Sequence, residues 1–72
     1  MAKYVGIFEQ AADGTWSGFI PELPAVHATG DTLEHAEEDM RYRIALWVEE
    51  MRADGVPIPA PYCHAREFEV TL

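Results

Sequence analysis

Residues 31–55 read DTLEHAEEDMRYRIALWVEEMRADG, and this stretch decides the fold. Asp31 and Thr32 are both good N-cap residues, and Asp31 stands at capping-box spacing from Glu34. Glu34, Glu37, Glu38 and Asp39 crowd the first two turns, where the helix dipole favours negative charge. Leu33, Ala36, Met40, Ile44, Trp47, Val48 and Met51 recur at steps of three and four. Projected down a helix they fill a stripe about 120° wide, enough to cover one face of a sheet. Asp54-Gly55 offers a C′ glycine, and Val56-Pro57 prevents continuation. The pattern predicts one helix of about six turns whose apolar face demands a second layer.

The sequence on either side supplies that layer. Lys3 to Phe8 is short and rich in β-branched and aromatic residues. Asp13-Gly14 is a turn dipeptide, and Thr15 to Ile20 then alternates large and small side chains at period two. Pro21 ends that ladder, and Ala25 to Thr29 forms a third run closed by Gly30. These three read as an antiparallel meander. After the helix, Pro57-Ile58-Pro59-Ala60-Pro61 is too proline-dense for helix or central strand and runs as stiff polyproline II. Arg66 to Val70 alternates again, with Phe68 and Val70 on one face and Glu67 and Glu69 on the other. The predicted fold is therefore α+β, in the order β-β-β-α-β. It is one mostly antiparallel sheet with a single long helix on one face, and residues 1–72 form one domain.

Composition bounds the function. A chain of 72 residues leaves no room for a second domain, and at this size only about 60% of the unfolded surface is buried. Its 49% apolar and 25% charged residues suit a globular domain, and no apolar run approaches the roughly 20 residues of a membrane span. Thirteen acids against five bases give a net charge of −8. Five scattered bases cannot easily build the counterion-releasing face that nucleic acid requires, whereas the acidic excess steers the protein toward a basic partner. One cysteine, Cys63, excludes an internal disulfide and fits a reducing cytoplasm.

The order of short motifs resembles a known family. Asp13-Gly14, then Phe19-Ile20-Pro21-Glu22-Leu23-Pro24, then Thr29-Gly30-Asp31-Thr32-Leu33-Glu34, and finally Gly55-Val56-Pro57-Ile58-Pro59 stand in the register of HicB-type antitoxin domains. The resemblance runs from Tyr4 to about Pro61. It implies a partial ribonuclease H-like fold without nuclease activity, and a partner in a small basic mRNA-cleaving toxin of the HicA type. Two departures are visible. Ala25 and Val26 stand where family members usually carry Gly and then a small or Cys residue. No helix-turn-helix or ribbon-helix-helix module follows the domain, so direct operator-DNA binding is not expected.

Catalysis is not expected either. Two-metal phosphoryl chemistry needs carboxylates converging from strand ends, and Lys3 to Phe8 carries none, with Glu9 at or beyond its end. Cys63 and His64 are adjacent on an extended segment and point to opposite sides. His27 and His35 have no recognisable zinc spacing, and His35 and Asp39, one helical turn apart, read as solvated neighbours. No cofactor is expected. Glu9, Asp13 and Glu22, near the turns of the meander, are the acids expected to face a basic partner, since Asp31 and Glu34 have a competing capping task. Tyr42 and Leu46 lie nearly opposite the core stripe and mark a candidate oligomer or partner contact. The short last strand predicts an unpaired edge, and hence a homodimer or homotetramer. Two functions are weighed, the first of them implied by the resemblance. One is an antitoxin-type module that covers a basic toxin, and the other is a small structural or regulatory oligomer without a toxin.

Overall fold

The computed structural model describes residues 2–72. Three strands, β1 (Ile7–Gln10), β2 (Trp16–Ile20) and β3 (Leu23–Gly30), form one antiparallel sheet in the order β1-β2-β3, followed by the helix α1 (Leu33–Asp54). The α+β arrangement is as expected, and α1 has 22 residues, about six turns. Phe8 pairs with Gly18 and Gly18 with Ala28, a row on the helix side of the sheet. There the missing Cβ of Gly18 leaves room for the Phe8 ring, because a built Cβ would lie 2.5 Å from Phe8 Cε1. Ile20, Leu23, Val26 and Ala28 from the sheet meet Met40, with Tyr4, Phe8, Ile44 and Trp47 packed around them. Ala36 and Met40 are the buried members of the predicted stripe, and Leu33, Ile44, Trp47, Val48 and Met51 are half-buried along it.

The helix ends are set locally. Thr32 alone is the N-cap, its hydroxyl accepting the His35 N–H at 3.1 Å. Asp31 stands outside the helix and engages the His35 Nδ1 instead, which raises the His35 pKa and lowers its own. Gly55, at φ 68°, takes the left-handed position that ends the helix, as its place after Asp54 predicts. Replacing Thr32 by Ala orphans a first-turn N–H and should cost about 1 kcal/mol, measured as a shift in chemical denaturation. An unchanged midpoint would mean that the cap contributes nothing.

The expected last strand does not join the sheet. Residues 56–72 form neither helix nor strand, and Phe68 and Val70 are 86% and 71% exposed. A strand pattern makes a strand only where a neighbouring edge receives its hydrogen bonds. Here the proline connector and two bonds at residues 62 and 63 hold the chain beside residues 2–5, leaving 66–70 without a partner. The projecting tail shows in the radius of gyration, 14.1 Å against roughly 11 Å for a compact chain of this length.

Candidate interaction site

Glu22 occupies the two-residue turn between β2 and β3, and is 3% exposed. Its Oε2 accepts the backbone N–H of Tyr62 at 2.7 Å and of Cys63 at 3.0 Å, while Oε1 is buried with no partner. The Cys63 amide bond is the main cause holding the Glu22 carboxyl below the usual glutamate value, against the opposing cost of burial. The half-buried Cys63 thiol is pushed up, first by burial and then by the Glu22 charge, so it stays protonated at neutral pH. Nearby, the Tyr4 hydroxyl donates to the Pro59 carbonyl. Glu22 is thus a fastener between the sheet and the tail. The expectation that it faces a partner fails, because tail backbone covers it.

The other two candidate acids sit at the opposite end of the sheet. Glu9, on β1, is exposed and pairs in register with Ser17. Asp13, in the β1–β2 hairpin loop, accepts the Thr15 hydroxyl at 2.7 Å and the Thr15 N–H at 3.0 Å. Those bonds, the hydroxyl first, hold its carboxyl below the ordinary aspartate value. The last sheet row joins Gln10, Trp16 and Gly30, and the chain passes from Gly30 through Asp31 and Thr32 straight into α1. The hairpin and the helix N-terminus therefore share one end of the molecule, with Glu9, Asp13, Asp31 and Glu34 all exposed. Since Thr32 caps the helix, Glu34 is free of the capping task assigned to it from sequence.

A third feature is an open groove of about 390 Å³ between β3 and α1. Ala25, Val26 and His27 form one wall, Leu46 and Trp47 the other, with Arg43 and Glu50 at the rim. Leu46 is 43% exposed on this wall, while Tyr42, one turn earlier, is exposed but does not line the groove. Asp39 marks one limit of the groove's strand edge, its Oδ2 accepting the Thr29 N–H at 3.0 Å. That bond, followed by burial acting against it and then Arg43, leaves the Asp39 carboxyl below its ordinary value.

The family model described as UPF0150-like matches residues 2–59, which span the meander, the helix and the first part of the proline connector. The chain belongs to the UPF0150-like family. It is 34% identical over 57 residues to a UPF0150 protein of the cyanobacterium Synechocystis, covering 79% of this chain and 72% of that one. No solved structure matches it. The matched residues include the hairpin end, the groove and Glu22, whereas the tail that Glu22 holds begins at the margin of the match.

Two of the five residues singled out from sequence share a surface, Glu9 and Asp13, and Leu46 lines a groove that Tyr42 only flanks. His35 and Asp39 have separate partners, Asp31 for the first and Thr29 and Arg43 for the second. Among the described residues no three of His, Cys, Asp and Glu come together to hold a metal, and no helix is long and apolar enough to cross a membrane. Sequence reasoning missed the fastening role of Glu22. No signal in residues 21–24 could have found it, because the amides that bury Glu22 lie 40 and 41 residues further along the chain.

Proposed function

We propose that this chain is a non-catalytic binding module of the HicB antitoxin type, acting in the cytoplasm. It would neutralise a basic HicA-like mRNA-cleaving toxin by covering its surface. The observation that carries the reading is the exposed acidic end formed by Glu9, Asp13, Asp31 and Glu34 on a chain of net charge −8. A toxin that binds RNA needs a basic face, and such a face is both attracted to this end and masked by it. The motifs shared with HicB-type domains, Phe19 to Pro24 and Thr29 to Glu34, support the same partner class. The module works without a cofactor, and its affinity for duplex DNA is about 10⁻⁴ M or poorer at physiological salt. It self-associates as a homodimer or homotetramer.

The test is toxin-catalysed RNA cleavage in the presence of the full chain. Glu9→Lys with Asp13→Lys should slow toxin association severalfold at low ionic strength, a difference that shrinks as the Debye length falls from about 10 Å at 0.1 M salt to about 3 Å at 1 M. Both side chains are exposed, but Asp13→Lys also removes the two Thr15 bonds of the hairpin loop, so a thermal melt of the double variant accompanies the assay and cleavage is compared where both proteins are folded. Full protection of RNA by the double variant at low salt would refute the acidic mask. The second reading, an oligomer without a toxin, is favoured if no basic protein encoded beside this chain is recovered with it on co-expression.

A further inference from the structure

We propose that the tail segment Arg66–Leu72 is a strand offered to a second copy of this chain, and that it docks on the outer edge of β3, over the groove beside α1. The proposal rests on the self-association stated above and names its interface. Phe68 and Val70 alternate with Glu67 and Glu69, so the tail has one apolar and one acidic side, yet it touches no sheet in its own chain. The tail and the open edge are complementary parts of one molecule that do not meet within it. Residues 61–66 lie against residues 2–5, on the β1 side, while the groove opens on the far side of β3.

The receiving edge can be read residue by residue. The Thr29 N–H points away from β2 to Asp39, so by strand alternation the His27 N–H points outward as well, up to the register shift opposite Phe19 and Ile20. Ala25 and His27 both line the groove. A strand laid along them extends the sheet under the helix, and its inward side chains meet Leu46 and Trp47. Phe68 and Val70 are spaced to be those side chains, and Glu67 and Glu69 then turn toward solvent. Pro24 near the start of β3 and Asp39 at Thr29 bound the docking length on either side.

A second copy satisfies these features without any further component. Each copy has one tail and one groove, so reciprocal exchange closes a two-fold dimer and leaves neither element over. The two phenylalanines bury about 150–250 Å² each, and with Val70 and the matching area of both grooves the total approaches the roughly 1,200 Å² of a stable interface.

Sedimentation of the full chain from 1 to 100 μM tests this, together with mixed-population crosslinking. The wild type should sediment as a dimer, twice its 8.1 kDa mass. Phe68→Asp with Val70→Asp in the tail, or Leu46→Asp in the groove, should each weaken the dimer by about 30-fold or more while leaving the circular dichroism unchanged. All three positions are exposed in the single chain, so loss of folding is not expected. In a Cys63→Ser background, mixing protein carrying Val70→Cys with protein carrying Leu46→Cys should yield a disulfide-linked dimer. A wild type that is monomeric throughout would overturn both self-association and this interface. A dimer that survives the tail and groove variants and forms no crosslink would overturn the interface alone. A monomer whose tail variants lose only the binding of a basic partner would assign the tail to that partner instead.

Discussion

Gly30→Ala should cost about 3 kcal/mol, the upper part of the range for forcing a methyl group into a closed site. A Cβ at Gly30 would collide with the Ala36 backbone nitrogen and lie 2.8 Å from the His35 carbonyl carbon. These are backbone atoms of the first helical turns, with no rotamer by which to retreat. Relief requires the helix N-terminus to move off the end of β3, which also disturbs the Thr32 cap and the packing of Ala36. A domain of 72 residues has a total stability of roughly 4–11 kcal/mol, so about a quarter to three quarters of the margin is at stake. Gly18→Ala is the control. Its Cβ would meet ring atoms of Phe8 at 2.5 and 2.7 Å, and a ring can pivot where a helix backbone cannot, so the loss should be nearer 1 kcal/mol. Urea denaturation of the two variants decides the matter. Equal losses, or a larger one at Gly18, would show that strand and helix are not so closely joined.

Glu22→Ala should release the tail while the meander and helix stay folded. The Tyr62 and Cys63 amides lose their acceptor, and their hydrogen exchange should quicken by roughly tenfold to a hundredfold, the scale of charge-assisted bonds. Glu22→Gln keeps one carbonyl oxygen for those amides and should fall between wild type and Ala. The wild type should also respond to acid. A carboxyl whose pKa falls on folding adds stability above its unfolded value, and that contribution is lost as the pH drops through the lowered folded value. Protection of the two amides should therefore persist through the ordinary glutamate range and disappear only below it. The Gln variant should lack this acid transition. Protection in the Ala variant equal to that of the wild type would mean that something other than Glu22 holds the tail.

The helix was legible in the sequence because its information is local. Apolar spacing, a cap and a terminal glycine all lie within residues 31–55, and none depends on distant neighbours. The three strands were legible as elements, with ends displaced by a few residues. β1 starts at Ile7 rather than Lys3, and β3 begins at Leu23 rather than Ala25. Pro24 lies inside β3 because β3 is an edge strand, where a missing N–H donor is tolerated. Non-local features were hidden. Nothing in Arg66 to Val70 tells whether an edge lies within reach, so a strand-like pattern read as a strand. Glu22 looked like any turn acid, because the amides that bury it stand 40 and 41 residues away. Glu9 and Asp13 were read correctly as exposed, since a hairpin loop and an open strand face require no distant partner.

The short passage from Gly30 into α1 also bears on the order in which the molecule forms. Each strand packs beside the next in sequence, and the helix folds back onto β3 across only Asp31 and Thr32. Loop closures this short have little entropy to overcome, so the meander and helix can condense rapidly once Gly55 has been synthesised. The contact between Glu22 and residues 62 and 63 spans a far longer loop and must come later. During synthesis, then, the Glu22 carboxylate begins as a hydrated surface charge. It is desolvated only when residues 62 and 63 reach it, so its burial is a late step that follows the onset of the fold.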